Sequence, residues 1–110
     1  MIPEAIEFYL NKLQTRSEII AIILNYNDKE NTYICDIVLD NELIYQDGKL
    51  TISSPTFNGY LEVNYYKLKN LNENSYLNSN LFKRIDFGKI LLDRNNIFNS
   101  IKKAKKDFAI

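Results

Sequence analysis

The sequence contains no histidine and only one cysteine, and these two shortages remove much of the common catalytic chemistry. Without histidine, the chain lacks the commonest general base, the commonest metal ligand and the side chain that titrates near neutral pH. Serine–histidine, cysteine–histidine and histidine–metal enzymes are therefore excluded. The single cysteine, Cys35, can form neither an intramolecular disulfide nor a cysteine-based metal site. Because it lies among apolar residues, we expect it to pack in the core with a raised pKa.

Glycine and long apolar runs are scarce as well. The three glycines, Gly48, Gly59 and Gly88, are isolated and form neither of the glycine-rich phosphate-binding motifs. The longest apolar run covers only residues 19–24, whereas a membrane-spanning helix needs about 20 residues. Residues 1–7 are acidic and lack the basic start and apolar core of a signal peptide. We therefore expect a cytoplasmic protein without membrane contact, cofactor or bound metal.

The composition is that of one ordinary globular domain. The chain has 110 residues, of which 45% are hydrophobic and 25% charged, so it is long enough to bury a single core. We expect residues 1–110 to form one α+β domain, and a homodimer is left open. The formal net charge is zero, but residues 1–66 contain ten acidic and four basic residues, while residues 67–110 contain ten basic and four acidic ones. This division becomes a functional field only if the fold separates the two sets.

Hydrophobic periodicity predicts a helix near each end of the chain. Residues 3–14 combine a proline at the first helical position, acidic residues in the first turn and an apolar stripe formed by Ile6, Leu10 and Leu13. A final helix is predicted after an asparagine cap at Asn95 or Asn96. Its apolar residues also recur with helical spacing, at Ile97, Ile101, Ala104 and Phe108.

The segments between these helices predict strands at 19–24, 33–39, 43–46, 49–53, 60–68 and 81–92. Asp47-Gly48 and Asn58-Gly59 are typical turn sequences, the first of type I′. The predicted fold is thus an N-terminal helix, an antiparallel β-meander of five to six strands in a sheet or small barrel, and a C-terminal helix packed on the sheet. Segment 19–24 is apolar on both faces and needs a helix to cover it. Residues 69–80 are predicted to form a mobile loop.

The acidic half of the chain leads to the first functional hypothesis. Asp36 alternates with apolar residues in segment 33–39, so we expect it and Asp40 to face solvent. Four residues along a strand separate these carboxylates by about 13 Å, too far for a catalytic pair. We predict a non-enzymatic protein that inhibits a protein partner by occluding it, as a toxin-immunity protein or a phage-encoded anti-defence inhibitor does. Its partner would be a basic nuclease or nucleic-acid-binding effector. The predicted acidic contact face comprises Glu18, Glu30, Asp36, Asp40 and Glu42.

The basic half leads to an alternative hypothesis, a small nucleic-acid-binding module. Tyr60, Tyr65 and Tyr66 precede the first lysines of this half and resemble the aromatic platforms on which bases stack. Tyrosine is also a favoured strand residue, so packing remains a competing explanation. The predicted nucleic-acid contacts are Lys67, Lys69, Lys83, Arg84, Lys102, Lys103, Lys105 and Lys106. Small barrels of the Sm or SH3-like kind share the layout of a helix followed by a meander, but no residue motif of those families is present.

Overall fold

The computed structural model describes residues 2–40, 45–68 and 80–108, with the backbone alone for residues 80 and 104–108. These residues form an α+β fold, as the sequence predicts. Its elements in chain order are α1 (Glu4–Gln14), β1 (Ile19–Asn27), β2 (Thr32–Leu39), β3 (Gly48–Ser53), β4 (Asn58–Lys67), α2 (Asn80–Arg84), β5 (Lys89–Asp93) and α3 (Ile97–Phe108).

The strands form an open mixed sheet in the order β3-β4-β2-β1-β5. β1 pairs antiparallel with β2 and with β5, and β3 pairs antiparallel with β4, but β2 and β4 run parallel. The predicted all-antiparallel meander is therefore wrong, and within the described residues the sheet is not closed into a barrel. A meander pairs strands that are neighbours in sequence, whereas here β4 lies between β2 and β3.

Two of the predicted strands differ from the structure. Residues 43 and 44 lie outside the described residues, and residues 45–47 belong to no strand. Within 81–92, the first residues form α2 and only the end forms β5. Leu81 and Ile85, which are four residues apart, are both buried, as expected for one face of a helical turn. The loop predicted at 69–80 falls outside the described residues, apart from Asn80, which begins α2.

Neither glycine turn forms as predicted. A type I′ turn requires positive φ at its glycine, but none of the described glycines has a positive φ. Gly48 instead begins β3, and Gly59 lies inside β4. The chain turns between these strands at Ser54, whose side chain accepts a hydrogen bond from the Phe57 backbone N–H at 3.1 Å.

The core confirms that β1 is covered on both faces. On one face, Ile6, Leu10 and Leu13 of α1 pack in a cluster with Ile19, Ile22 and Leu24. On the other, Ile20, Ala21 and Ile23 pack with residues of α2 and α3, namely Leu81, Ile85, Ile97, Phe98 and Ile101. Simple alternation would place Ile20 on the α1 side. A register irregularity between Ile19 and Ala21 in the β1–β2 pairing places it on the opposite side.

Cys35 is fully buried in the α1-side cluster, as the sequence predicts. Burial raises the pKa of its thiol to about 12, and the neighbouring Asp36 carboxylate adds to the increase. The thiol is therefore protonated at neutral pH and packs as a small apolar group.

The N-terminus of α3 is capped by Asp93 and not by an asparagine. The Asp93 carboxylate accepts hydrogen bonds from the backbone N–H groups of Ile97 at 2.7 Å and Phe98 at 3.1 Å. Asn96 has a φ of 54° and lies in the left-handed region, where asparagine is tolerated better than most residues. The sequence signal was therefore correct for the position of the helix start but wrong for the capping residue.

Candidate protein-binding surface

Asp36, the centre of the predicted acidic face, is fully buried. Arg84 of α2 binds its carboxylate through two hydrogen bonds, from Nε to Oδ2 at 2.8 Å and from Nη2 to Oδ1 at 2.6 Å. The expectation that Asp36 faces solvent is therefore wrong. A buried carboxylate is stable in its charged form only when it is paired and hydrogen-bonded. Its pairing with Arg84 makes Asp36 part of the contact between α2 and the sheet and removes it from the protein surface.

Two side chains of β4 complete the polar cluster around Asp36. The Tyr66 hydroxyl donates to Asp36 Oδ1 at 2.9 Å, and Asn64 Nδ2 donates to the same oxygen at 3.3 Å. Burial is the main reason that the pKa of Tyr66 is raised above its ordinary value, and the adjacent carboxylate raises it further. Tyr66 thus remains a neutral hydrogen-bond donor to Asp36.

The remaining predicted acidic residues do not share one face. Asp40 and Glu18 lie together beyond one end of the β1–β2 pair, where the Asp40 backbone N–H donates to the Glu18 carbonyl at 3.0 Å. Glu30 lies in the connection at the opposite end of these strands, and eight residues of strand correspond to about 26 Å. Glu42 lies outside the described residues. The predicted acidic face is therefore divided between two ends of the sheet.

Glu18 takes part in a polar chain of its own. The Tyr45 hydroxyl donates to Glu18 Oε1 at 2.6 Å and accepts from Arg16 Nη1 at 3.1 Å. The hydrogen bond from Tyr45 is the main reason that the pKa of Glu18 is lowered. The Tyr45 hydroxyl thus links the Glu18 carboxylate to the Arg16 guanidinium, so Glu18 is not an isolated negative charge.

The side of β3 and β4 opposite α1 forms a surface of which the sequence indicated only Tyr60 as a candidate contact residue. We define the Tyr60 face as Lys49, Thr51, Tyr60 and Glu62. These side chains alternate with the ones that point toward α1, such as the buried Leu61. Tyr60 is 41% exposed, and the α2- and α3-side cluster includes no described residue of β3.

The Tyr60 face is held in place by cross-strand contacts. Thr51 lies directly opposite Tyr60, and Lys49 lies opposite Glu62. The Lys49 ammonium lies 4.8 Å from the centre of the Tyr60 ring, within the range of a cation–π contact. Glu62 accepts a hydrogen bond from Asn64 at 3.0 Å. Tyrosine alternation was visible in the sequence, but the pairing with β3 that assembles this surface depends on the fold.

The three tyrosines proposed as stacking platforms do not form one surface. Tyr60 is exposed, and Tyr66 is engaged with Asp36. Tyr65 points to the opposite face of the sheet, where its ring lies 4.8 Å from that of Tyr45. Of these three tyrosines, only Tyr60 is classed as exposed.

The predicted basic residues are likewise in different environments. Arg84 is only 19% exposed and is bound to Asp36. Lys67, Lys83 and Lys103 are exposed and Lys102 is half-buried. Lys69 lies outside the described residues, and only the backbone is described for Lys105 and Lys106. Arg84 is therefore not a free cation for the alternative nucleic-acid-binding surface.

The described residues contain no group of three or more acidic or cysteine side chains positioned to hold a metal ion. Among the described helices, none has the length and apolar content required to cross a lipid bilayer. No protein-family model matches this chain, and no curated protein or solved structure matches it either.

Proposed function

We propose that this chain is a non-enzymatic protein that inhibits a protein partner by covering it with the Tyr60 face. The observation that supports the proposal best is the exposed Tyr60 ring, which lies opposite Thr51 and in contact with the Lys49 ammonium. Among the described residues of β3 and β4, those that pack on the α2- and α3-side cluster do not include Tyr60 or any residue of β3. Tyrosine is enriched at protein interfaces because its large ring buries apolar area while its hydroxyl remains hydrogen-bonded.

The position of Tyr60 on a regular strand also favours a contact role. A strand fixes the backbone that carries the side chain, so less backbone ordering is needed on binding than at a loop residue. Glu62 and Lys49 place one charge of each sign beside the ring, and the Tyr60 backbone N–H donates to the Asn31 carbonyl at 3.0 Å, next to the exposed Glu30. The partner should therefore present an apolar or aromatic centre with basic groups toward Glu30 and Glu62.

The inhibitor classes considered from the sequence, immunity proteins and anti-defence inhibitors, remain the proposed biological context. The predicted acidic face is replaced in this proposal by the Tyr60 face, and Glu30 is the one described member of the original set that adjoins it. A basic nuclease or nucleic-acid-binding effector remains the proposed partner, with electrostatics mainly accelerating encounter.

The test is capture from the native cell followed by reconstitution. Tagged wild type, Tyr60→Ala and Tyr26→Ala are incubated with nuclease-treated extract, and any stoichiometric protein is purified for binding and activity assays. Tyr26 is a matched control because it is an exposed tyrosine, 48% exposed, whose ring contacts Tyr33 on the α1 side of the sheet.

The proposal expects a partner whose activity falls on binding and whose affinity is reduced at least tenfold by Tyr60→Ala, which corresponds to about 1.4 kcal/mol or more. Tyr26→Ala should bind as wild type. The proposal fails if no stoichiometric protein is captured, if Tyr60→Ala binds equally well, or if binding leaves the activity unchanged. Salt-sensitive binding to nucleic acid without a protein partner would instead favour the alternative module.

A further inference from the structure

The two edges of the sheet differ in how they are protected against pairing with another strand. Unpaired backbone groups on an edge can bind a further strand, and proteins usually prevent this with short strands, bulges, proline or charge. β5 has only five residues, and its pairing with β1 is irregular between Ile22 and Ile23. These features protect the β5 edge.

β3 lacks most of these protections. It pairs within the described residues with β4 alone, in one continuous register from Gly48 to Ser53. Its sequence, GKLTIS, contains no proline and a single charge, Lys49. Five of its six residues are exposed, and the large apolar Leu50 is 43% exposed. The outer edge of β3 is thus regular, accessible and partly apolar.

We propose that β3 pairs antiparallel with β3 of a second copy of this chain, around a two-fold axis at Thr51. In an antiparallel pair, residues directly opposite each other point to the same side of the sheet. The register centred on Thr51 places Leu50 opposite Ile52 of the second copy, and Ile52 opposite Leu50 of the second copy. Both apolar residues of β3 thereby gain an apolar partner.

The charges of β3 favour a second copy over a strand of different chemistry. In this register Lys49 lies opposite Ser53 of the second copy, so no like charges meet. Within its own chain, Lys49 lies opposite Glu62 of β4 in the strand register and its ammonium contacts the Tyr60 ring, so it does not require an acidic partner strand. A register shifted by one residue would place Leu50 opposite Thr51 and join the apolar side of one sheet to the polar side of the other.

The dimer is independent of the proposed inhibitory function. The new hydrogen bonds lie in the plane of the sheet, so the Tyr60 face remains open. Because the two-fold axis is perpendicular to the sheet, the Tyr60 faces of both copies lie on the same side. The assembly would therefore present two contact surfaces side by side, a geometry suited to a two-fold symmetric partner.

Sedimentation equilibrium of the purified full chain tests the association. Wild type should dimerise with a dissociation constant between about 1 μM and about 1 mM, since one pair of short strands supports only modest affinity. Protein concentrations across this range are therefore measured. Leu50→Lys should weaken dimerisation at least tenfold by adding a charge at the paired edge. Tyr26→Lys adds the same charge at a similarly exposed position away from the edge and should dimerise as wild type.

Cysteine cross-linking tests the register. Thr51→Cys should form a disulfide-linked dimer under mild oxidation, because the two sulfurs meet at the two-fold axis. Ser53→Cys should not, because its two copies are four residues apart along the strands, about 13 Å. The buried Cys35 does not interfere.

The proposal is overturned if wild type remains monomeric over this range, if Leu50→Lys associates as wild type does, or if Ser53→Cys cross-links faster than Thr51→Cys. Its failure is distinguishable from failure of the inhibitory function, because Tyr60→Ala should leave dimerisation unchanged and Leu50→Lys leaves the Tyr60 ring in place. Circular dichroism of each variant verifies the fold before comparison.

Discussion

Arg84 and Asp36 are 48 residues apart in sequence and form a bidentate ion pair beneath α2. The carboxylate has no solvent exposure, and the arginine side chain is 19% exposed. The pair attaches α2, a helix of only five residues, to the sheet. It combines the attraction of opposite charges with two directional hydrogen bonds. Its removal should therefore affect stability more than the loss of a surface ion pair would.

Replacing Arg84 by methionine should lower the free energy of unfolding by about 3–5 kcal/mol, because the buried Asp36 charge then keeps only its neutral hydrogen-bond donors and loses its counter-charge. Urea unfolding monitored by circular dichroism measures the change. Lys83→Met, an exposed neighbour, is the control and should change stability by less than about 0.5 kcal/mol. Adding Asp36→Leu to Arg84→Met should restore part of the loss. A stability of Arg84→Met equal to that of Lys83→Met would contradict the structural role of the pair.

Replacing Gly88 and replacing Gly48 by alanine should have different effects on the stability of the protein. A Cβ atom at Gly88 would lie 2.5 Å from Cγ1 of Ile23, whereas one at Gly48 would meet no atom within 4 Å. Gly88→Ala should therefore destabilise the protein by about 1–3 kcal/mol through overpacking. Gly48→Ala should be neutral or stabilising by up to about 1 kcal/mol, since it restricts the unfolded chain. Thermal unfolding of the two variants provides the comparison, and equal melting temperatures would refute it.

Because Asp93 caps α3, its replacement by alanine should cost more stability than replacement of Asn95. Asp93→Ala removes the acceptor for two backbone N–H groups of α3 and should cost about 1 to 2 kcal/mol. Asn95→Ala, at an exposed residue, should change stability little. The measurement is the urea midpoint of each variant. If Asn95→Ala proved the more damaging, the start of α3 would have to be assigned differently.

The buried thiol of Cys35 predicts loss of stability at alkaline pH. Its pKa is raised from an ordinary value of 9.0 to about 12 in the folded chain, so the folded state keeps a proton that the unfolded state releases. Between these values the unfolded state binds fewer protons, and stability falls as pH rises by up to about 1.4 kcal/mol per pH unit. The free energy of unfolding of Cys35→Ala, measured by urea unfolding at each pH, should fall less between pH 9 and pH 11 than that of wild type. An identical pH dependence in both proteins would contradict the assignment.

Local sequence patterns predicted several elements well. The stripe of Ile6, Leu10 and Leu13 identified α1, and alternation identified β2 and the buried side of Cys35. These features depend on the period of 3.6 or 2 residues within one segment, so they can be read without knowing the neighbours. The start of α3 was also recognisable, although its cap came from Asp93 outside the expected asparagines.

The sequence by itself determined which segments are apolar on one face or on both, and hence the helix–sheet character of the chain. The tertiary structure alone decided that β4 lies between β2 and β3, that 80–84 forms a helix, and that Asp36 is buried. The physical reason is that these outcomes depend on partners distant in sequence. An alternating aspartate favours solvent unless a cation reaches it, and Arg84 reaches Asp36 only because the fold places α2 over that strand.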